Sequence, residues 1–284
     1  MNTTLITLPI ILAAGVAIAL VYGNLRWKSA TSKLDASLEA ARLPLGTKVF
    51  SANELLGLPA PVQRYLSAAM VDGLRMVAAV AIEQTGTFNQ SETIPAWRPF
   101  TATQRAVTRR PGYFWDARIR MWPCVPVRVR DAYVAGEGIL QAALFGLFPV
   151  ANLRDTGELA KGELMRYLAE AAWYPTALLP SQGVRWEAVD EHSARATLAD
   201  GAATVSLLFR FNVDNLIASV RAEARGRMVG TIVTSMPWEG RFWNYAVRDG
   251  MRVPLEGEVA WIHPEGAKPY WRGRITRLAY EFAQ

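Results

Sequence analysis

The sequence predicts an α+β fold, mainly antiparallel β: a curled sheet or half-barrel of about eleven strands, a helix closing its open side, and an N-terminal transmembrane helix. Three observations lead to this prediction. From Met76 onward, apolar residues recur at every second position, which is the period of a strand with one buried face. One helical pattern, Asp155 to about Trp173, interrupts the strands. An uncharged apolar run, Leu5 to Tyr22, lies near the start of the chain.

The apolar run is long enough, at about 1.5 Å per residue, to cross a hydrocarbon core of roughly 30 Å. No Lys or Arg precedes it, whereas Arg26, Lys28 and Lys33 follow closely, so the positive-inside rule puts the rest of the chain in the cytoplasm. We therefore expect a single pass through a bacterial inner membrane, with the periplasmic side as the alternative. A cleaved signal peptide is the rival interpretation, because Ala17-Ile18-Ala19 fits a small-x-small cleavage site, although the basic n-region is missing.

The 284 residues divide into an anchor at 1–25, a polar helical stalk at 26–50 and one β-rich half-barrel domain at 51–284. Ten Trp residues suit a wide apolar core or a concave ligand site. The net charge of +6 favours anionic surfaces, of which lipid headgroups are the nearest and nucleic acid a weaker candidate. A single cysteine, Cys124, excludes an intrachain disulfide and any multi-cysteine metal site.

Two short helices lead into the sheet. Ser51 with Glu54 three residues later is a capping-box pattern, and Pro61 suits a first helical turn, so helices are predicted at Ser51–Leu56 and Pro61–Met70. The predicted strands, about eleven in number, are Val77–Phe88, Phe100–Thr108, Tyr113–Met121, Val125–Val134, Val184–Asp190, Ala194–Ala199, Ala203–Asn212, Leu216–Arg225, Arg241–Val247, Met251–Ile262 and Tyr270–Phe282.

Turn residues separate these strands. Asp200-Gly201 and Asp249-Gly250 predict tight hairpins, because Asp and Gly accept the positive φ of primed turns, and Asp214-Asn215 predicts another turn. In the strand after Asn215, the predicted buried face holds Ala218, Val220, Ala222 and Ala224, and the wet face holds Ser219, Arg221, Glu223 and Arg225.

The long helix is capped by Asp155 and Glu158 and ends before Pro175. Its apolar stripe consists of Leu164, Leu168, Ala171 and Ala172. Its polar face consists of Glu163, Arg166, Tyr167 and Glu170, at three- and four-residue spacing. Laid across the open side of a curled sheet, such a helix encloses a hollow.

Three stretches of the chain are distinctive. They are Leu58-Pro59-Ala60-Pro61-Val62-Gln63-Arg64-Tyr65-Leu66, the pair Gly162–Glu170 and Pro175–Pro180, and Trp186-Glu187-Ala188-Val189-Asp190. They resemble an uncharacterised bacterial family, a domain of unknown function, over most of residues 55–282. The resemblance brings no activity. At fold level it implies half-barrels like those of the periplasmic lipoprotein-carrier superfamily, with an apolar cavity. A cytoplasmic domain departs from that pattern.

The chain carries no motif for a nucleophile, a metal or a phosphate, since G-x-S-x-G, H-E-x-x-H, C-x-x-C and a glycine-rich loop are all missing. His192 and His263 fall in apparent turns. We therefore expect no metal, no cofactor and no catalytic residue. Carboxylates remain as an acid/base option, because burial of Glu163 or Glu170 against the sheet raises a pKa towards neutrality. A solvated helix face with Arg166 pairs is the alternative.

Arginines alternate along two consecutive predicted strands. They are Arg118 and Arg120 in the first strand and Arg128 and Arg130 in the second, separated by the turn Trp122–Pro126. A hairpin crowds these four guanidinium groups onto one face, where like charges destabilise a strand pair. Two interpretations explain what balances this positive charge. In the functional one, an anionic headgroup or an acidic partner binds the four arginines. Neighbouring acids, Asp116 and Asp131 among them, offset them in the structural one.

The stretch Ile139–Val150 is apolar but too short to span a bilayer. Gly136 and Gly138 precede it and suit a hinge. Two interpretations of this stretch are open. In the first it is a lid over the hollow or a membrane-dipping loop, and in the second it is a buried core segment.

These features favour a membrane-anchored binding protein for a lipid-like or other apolar ligand, without chemistry. The predicted ligand-binding residues are Trp115, Leu144, Phe148, Trp186, Phe209, Phe211 and Trp261. The expected partners are membrane lipid and an apolar small molecule, not nucleic acid, and the oligomeric state is left open. The alternatives are a scaffold or partner-binding domain without ligand, and a carboxylate-dependent enzyme using Glu163 or Glu170.

Overall fold

A computed structural model describes residues 3–122, 125–229 and 232–284, so Cys124 in the predicted turn Trp122–Pro126 lies outside the described residues. The helices are α1 (Thr3–Ala41), α2 (Ala60–Ala69) and α3 (Glu158–Glu170), with short 3₁₀ helices at Ala52–Leu55, Ala171–Trp173, Pro175–Leu178 and Pro180–Gln182. The strands are β1 (Val77–Asn89), β2 (Trp97–Val107), β3 (Gly112–Trp122), β4 (Val125–Val134), β5 (Glu137–Leu144), β6 (Phe148–Asp155), β7 (Arg185–Asp190), β8 (Ser193–Asp200), β9 (Ala203–Phe211), β10 (Ile217–Val229), β11 (Ile232–Arg248), β12 (Met251–His263) and β13 (Gly266–Phe282).

All thirteen described strands form one antiparallel sheet in the order β6-β5-β4-β3-β2-β1-β13-β12-β11-β10-β9-β8-β7. The first meander, β1 to β6, joins the second, β7 to β13, where β1 pairs with β13. Strand twist accumulates across a sheet this wide and makes it curl. Since β6 and β7 are the two edges of this described sheet, the curl stays open. The predicted curled antiparallel sheet is confirmed.

Helix α3 lies across the open side of the curl and contacts β3 to β6 of the first meander and β9 and β10 of the second. The N–H of Gly157, just before the helix, donates to Asp155 Oδ1 at 2.6 Å. Leu164 and Leu168 of the predicted apolar stripe are fully buried. A Cβ on Gly138 would lie 2.5 Å from the backbone nitrogen of Ala160, so the helix start packs directly on β5.

The apolar stretch Ile139–Val150 supplies the two strands that the sequence did not predict, β5 and β6. It is neither a lid nor one continuous core segment but most of a hairpin, in which Leu144 faces Phe148. Phe145 and Gly146 at its tip have φ angles of 55° and 72°, the left-handed values that a tight turn requires. Ile139 of β5 is buried, whereas Phe148 and Val150 of the edge strand β6 are exposed.

The predicted turn at Asp249-Gly250 and the two short helices form, whereas the hairpin predicted at Asp200-Gly201 turns at residues 201–202, because Asp200 still pairs with Ala203. Asp249 and Gly250 have φ angles of 48° and 82°, so both accept the positive φ of a primed turn. The predicted capping box is only half made: Ser51 Oγ accepts a hydrogen bond from the N–H of Asn53 at 3.3 Å. Glu54 instead accepts one from the N–H of Ser181 at 2.7 Å, and so ties the 3₁₀ helix to a distant loop.

Helix α1 runs without a break from the predicted anchor through most of the predicted stalk. Its second half lies on the outer face of the sheet, where Trp27, Leu34 and Leu38 are buried. Trp27 Nε1 donates to both carboxylate oxygens of Asp116 at 3.0 Å. The part of the helix from residue 10 to residue 22 is exposed. The helix is long and apolar enough, by length and composition, to span a membrane.

Two truncations separate the roles of the two halves of α1. Removing residues 1–22 should leave the free energy of unfolding nearly unchanged, because residues 10–22 are exposed. Removing residues 1–41 should lower it by several kcal/mol, because burial of each large apolar side chain is worth about 1.5–3 kcal/mol. Urea unfolding followed by circular dichroism, in one detergent for all chains, makes the comparison. Equal stability of the two truncated chains would contradict this packing role.

Candidate functional site

A cavity of about 820 Å³ lies between α3 and the concave face of the sheet. Its size falls within the range of small-molecule sites, about 300–1,000 Å³. Both meanders and the helix contribute to its wall, so the cavity exists only because the sheet curls. Aromatic side chains, most of them from the strands, line it together with charged side chains, of which Glu163, Arg166 and Glu170 belong to α3.

The aromatic wall consists of Phe88, Trp97, Trp115, Trp173, Trp238, Phe242, Trp261, Tyr270 and Trp271. Strand alternation sets this wall, since Trp238, Gly240 and Phe242 occupy successive inner positions of β11. Trp261 stacks on Tyr270 with ring centroids 6.0 Å apart. A Cβ on Gly240 would meet nothing closer than 3.9 Å, so the cavity has free space at this position.

The polar base of the cavity is the buried face of α3. Arg166 Nη1 donates to Asp131 Oδ2 of β4 at 2.8 Å, and Arg166 Nε donates to Glu170 Oε1 at 2.7 Å. Gln104 Nε2 donates to the other oxygen of Glu170 at 2.6 Å. The predicted Arg166–Glu170 pair therefore forms, but it faces the cavity, so the interpretation of this face as solvated is wrong.

Glu163 is a buried acid at this base, with 4% of the residue exposed. The hydroxyl of Tyr113 donates a hydrogen bond to Glu163 Oε2. Arg225 Nη2 lies 4.0 Å from Glu163 Oε1. Burial, with repulsion by Asp131, raises the pKa of Glu163 to about 7. A carboxyl group that titrates near neutrality has the property required of a general acid or base.

Arg225 reaches the cavity because of a β-bulge. The sequence predicts it on the wet face of its strand, and that prediction is wrong. The register of β10 against β11 shifts between Ala222 and Arg225, and the extra residue reverses the alternation. Glu223 and Ala224 are consequently both exposed, whereas Arg225 is buried over the ring of Trp238, 4.7 Å from its centroid.

The predicted ligand-binding residues fall into three groups. Trp115 and Trp261 line the cavity. In the second meander, Trp186 packs edge-on against Phe209 with ring centroids 5.1 Å apart, and Phe211 stacks on Tyr65 of α2 at 5.4 Å, so all three belong to the core outside the cavity lining. Leu144 and Phe148 lie at the tip of the β5–β6 hairpin.

Tyr167 differs from the other members of the predicted polar helix face. Glu163, Arg166 and Glu170 line the cavity. Tyr167 is buried against Tyr174, with ring centroids 5.8 Å apart, and belongs to the core.

The predicted arginine hairpin is formed by β3 and β4. Arg118 faces Arg128, and Arg130 faces Asp116. Helix α1 takes up two of the four: Arg128 Nη2 donates to Asn24 Oδ1 at 2.7 Å, and Arg130 Nη2 donates to the carbonyl oxygen of Trp27 at 2.9 Å. Arg118 and Arg120 remain exposed on the outer face. Asp131 lies on the inner face, where Arg166 binds it.

The two histidines lie at or between strand ends. His192 lies in the turn between β7 and β8, and His263 lies at the end of β12. Within the described ranges, no group of three or more His, Cys, Asp or Glu side chains has an arrangement that would hold a metal ion.

The chain belongs to a family of unknown function, DUF6920, whose family model matches residues 56–280. No curated protein matches the sequence. A LolA superfamily protein from Nitrosomonas europaea is similar in structure at 10% sequence identity and a TM-score of 0.33, over 78% of this chain and 92% of that chain. A beta-barrel-like protein of the DUF1849 domain of unknown function, from Brucella abortus, is similar at 8% identity and a TM-score of 0.23, over 72% of this chain and 99% of that one. Neither description names a ligand.

The raised pKa of Glu163 has a consequence for stability. The folded state holds the proton of the Glu163 carboxyl group more tightly than the unfolded chain does. The contribution of Glu163 to the free energy of unfolding is therefore full below pH 4.5 and is lost as the pH rises through about 7. The side chain in Glu163→Gln does not ionise. The free energy of unfolding of this variant minus that of wild type should therefore be larger at about pH 8 than at about pH 5, by on the order of 2–3 kcal/mol. Urea unfolding at both pH values measures the gain.

Glu223→Gln, which replaces an exposed glutamate of β10, is the matched control and should give the same pH profile as wild type. A stability difference between Glu163→Gln and wild type that does not change with pH would contradict the assignment.

Proposed function

We propose that this member of the DUF6920 family is a membrane-anchored binding protein that holds a lipid-like ligand in the cavity beneath α3. One observation carries the proposal: a cavity of about 820 Å³ with an aromatic wall and a polar base, in a chain whose first helix is apolar enough to span a membrane. Apolar walls with a few polar groups that fix orientation are typical of small-molecule sites. A domain that serves only as a scaffold has no need of such a hollow, because protein cores are otherwise close-packed.

The charges of the lining favour a ligand whose polar end is neutral or zwitterionic. Seven acidic and seven basic side chains line the cavity. At the base these groups neutralise one another, since Arg166 lies between Asp131 and Glu170, and Arg225 lies beside Glu163. A simple anion would lie as close to these carboxylates as to the guanidinium groups, so repulsion would offset attraction. A zwitterionic phospholipid, in contrast, has a positive and a negative group, which can pair with the carboxylates and the guanidinium groups at the bottom of the cavity.

The ligand proposal is tested by filling the cavity. Gly240→Leu adds a side chain into the free space at this inner position of β11, so it should leave the melting temperature within a few degrees of wild type and lower the affinity for a fluorescent lysophosphatidylcholine about tenfold. Fluorescence titration measures the affinity. Mass spectrometry of the purified wild-type chain should detect bound lipid.

Val247→Leu is the matched control, because it enlarges an exposed side chain on the same strand. Equal affinities of Gly240→Leu, Val247→Leu and wild type would contradict ligand binding in this cavity.

The charges next to the apolar part of α1 favour a cytoplasmic domain, because Arg26 and Lys28 follow that part closely. Protease added to intact spheroplasts should therefore spare residues beyond Lys28, and detergent lysis should expose them. Immunoblotting with an antibody against the β-rich domain reads out both steps, and a known periplasmic protein serves as the digestion control. Digestion of the domain in intact spheroplasts would mean that it lies in the periplasm.

A carboxylate-dependent enzyme is the second candidate function. It is favoured by Glu163, whose pKa is raised to about 7 at the base of the cavity. Mass spectrometry of the extracted ligand distinguishes the two functions. A binding protein returns its lipid unaltered, whereas an enzyme converts it, and that conversion is lost in Glu163→Gln.

A further inference from the structure

Helix α1 leaves the sheet at Gly23, against the tip of the β5–β6 hairpin. A Cβ on Gly23 would lie 2.5 Å from Leu147 Cγ and 2.7 Å from the carbonyl oxygen of Phe145, so the helix backbone lies directly on the hairpin. At the next residue, Asn24 is bound by Arg128. The exposed part of the helix, residues 10–22, begins immediately before this contact. The contact therefore fixes where the apolar half of α1 departs from the domain.

Several strand ends lie along the same edge of the sheet as this departure point. In an antiparallel sheet the register decides which ends share an edge. The pairs that fix it are Asn89 with Trp97, Phe100 with Ile119, Trp122 with Val125, Val127 with Leu144, Leu144 with Phe148, Phe88 with Trp271, and His263 with Gly266. We call the edge formed by residues 90–96, Trp122, Val125, residues 145–148 and residues 264–265 the anchor edge.

The anchor edge and the strand that follows its hairpin tip expose large apolar side chains. The exposed fractions are 76% for Ile94, 57% for Trp122, 62% for Phe148 and 68% for Val150. Arg118 and Arg120, near the end of β3, and Arg26 and Lys28, just past the departure point on α1, are exposed too. Aromatic side chains together with basic ones are typical of the boundary between a bilayer and water.

The cavity extends to the same edge. Its lining includes Asn89 to Thr93 in the loop between β1 and β2, and Lys268 to Tyr270 near the start of β13. Helix α3 lines another part of the cavity with Glu163, Arg166 and Glu170. The apolar half of α1, the exposed apolar side chains and one end of the cavity thus share one edge.

We propose that the anchor edge lies on the lipid surface and that the cavity exchanges its ligand directly with the adjacent leaflet. This inference rests on the proposed function, because it takes α1 to span the membrane and the cavity to hold a lipid. Trp122 and Phe148 enter the interface, and Arg118 and Arg120 meet anionic headgroups. An acyl chain that moves between bilayer and cavity then avoids exposure to water, which is the main cost of lipid transfer.

The position of the edge is tested with the full chain in vesicles of phosphatidylcholine and phosphatidylglycerol. Phe148→Cys, in a Cys124→Ser background, carries an environment-sensitive fluorophore. Val213→Cys is the matched control, because Val213 is exposed in the turn between β9 and β10 at the opposite edge. Lipids with quenchers on their acyl chains should quench the label at residue 148 several-fold more than the label at residue 213. Equal quenching at the two positions would overturn the proposal.

Direct exchange is tested by the rate of transfer of fluorescent phosphatidylcholine from these vesicles to the protein. The double variant Trp122→Ser, Phe148→Ser should transfer lipid about tenfold more slowly than wild type, with unchanged melting temperature and affinity, because both side chains are exposed. Val213→Ser with Val247→Ser is the matched control and should transfer at the wild-type rate.

An unchanged transfer rate in the Trp122 and Phe148 double variant would overturn direct exchange. A wild-type chain that binds no lipid would overturn exchange together with the proposed function. The quenching measurement needs no ligand, so it tests the anchor edge separately from both.

Discussion

The two meanders are joined along β1 and β13, and the buried face of α3 connects them a second time across the open side of the sheet. Arg166 binds Asp131 of β4, and Glu163 lies between Tyr113 of β3 and Arg225 of β10. Buried charged groups cost free energy unless they are paired, so this network disfavours any separation of the meanders that breaks its contacts. The cavity stays open because the charged groups hold the walls at a fixed distance while the aromatic side chains line them.

The same network bears on which parts of the cavity wall can move. Moving α3 away from β10 separates Glu163 from Arg225 and leaves a buried charge without its partner, which is costly. Moving the loop between β1 and β2 separates Glu92 from Arg227, a pair that is more exposed than the pair of Glu163 with Arg225 and therefore less costly to break. Access to the cavity is therefore easier at the anchor edge than beneath the helix.

The sequence predicted the repetitive parts of this fold and missed those that depend on local irregularity or distant contacts. Strand alternation, the turn at Asp249-Gly250 and the position of α3 follow from local patterns, and the structure confirms them. Arg225 was assigned to the wrong face because a bulge leaves no mark in the alternation of residue types. Trp238 was missed as a wall residue because β11 begins well before the predicted strand at Arg241. Periodicity places Phe209 and Phe211 on a buried face, but it does not show whether core or cavity covers that face, and the structure shows that core does.

The sequence predicts an apolar anchor followed by a polar helical stalk that serves as a spacer. In the structure the stalk segment is instead bound to the outer face of the sheet, where Asp116 accepts hydrogen bonds from Trp27 and the guanidinium of Arg130 stacks 4.2 Å from the centroid of the Trp27 ring. Asp116 also accepts a hydrogen bond from Thr31 Oγ1 at 2.5 Å. These contacts make the exposed apolar half of α1 and the curled sheet one rigid unit. The direction in which the cavity opens, relative to the helix, is consequently set by how a few polar side chains of β3 and β4 hold Trp27.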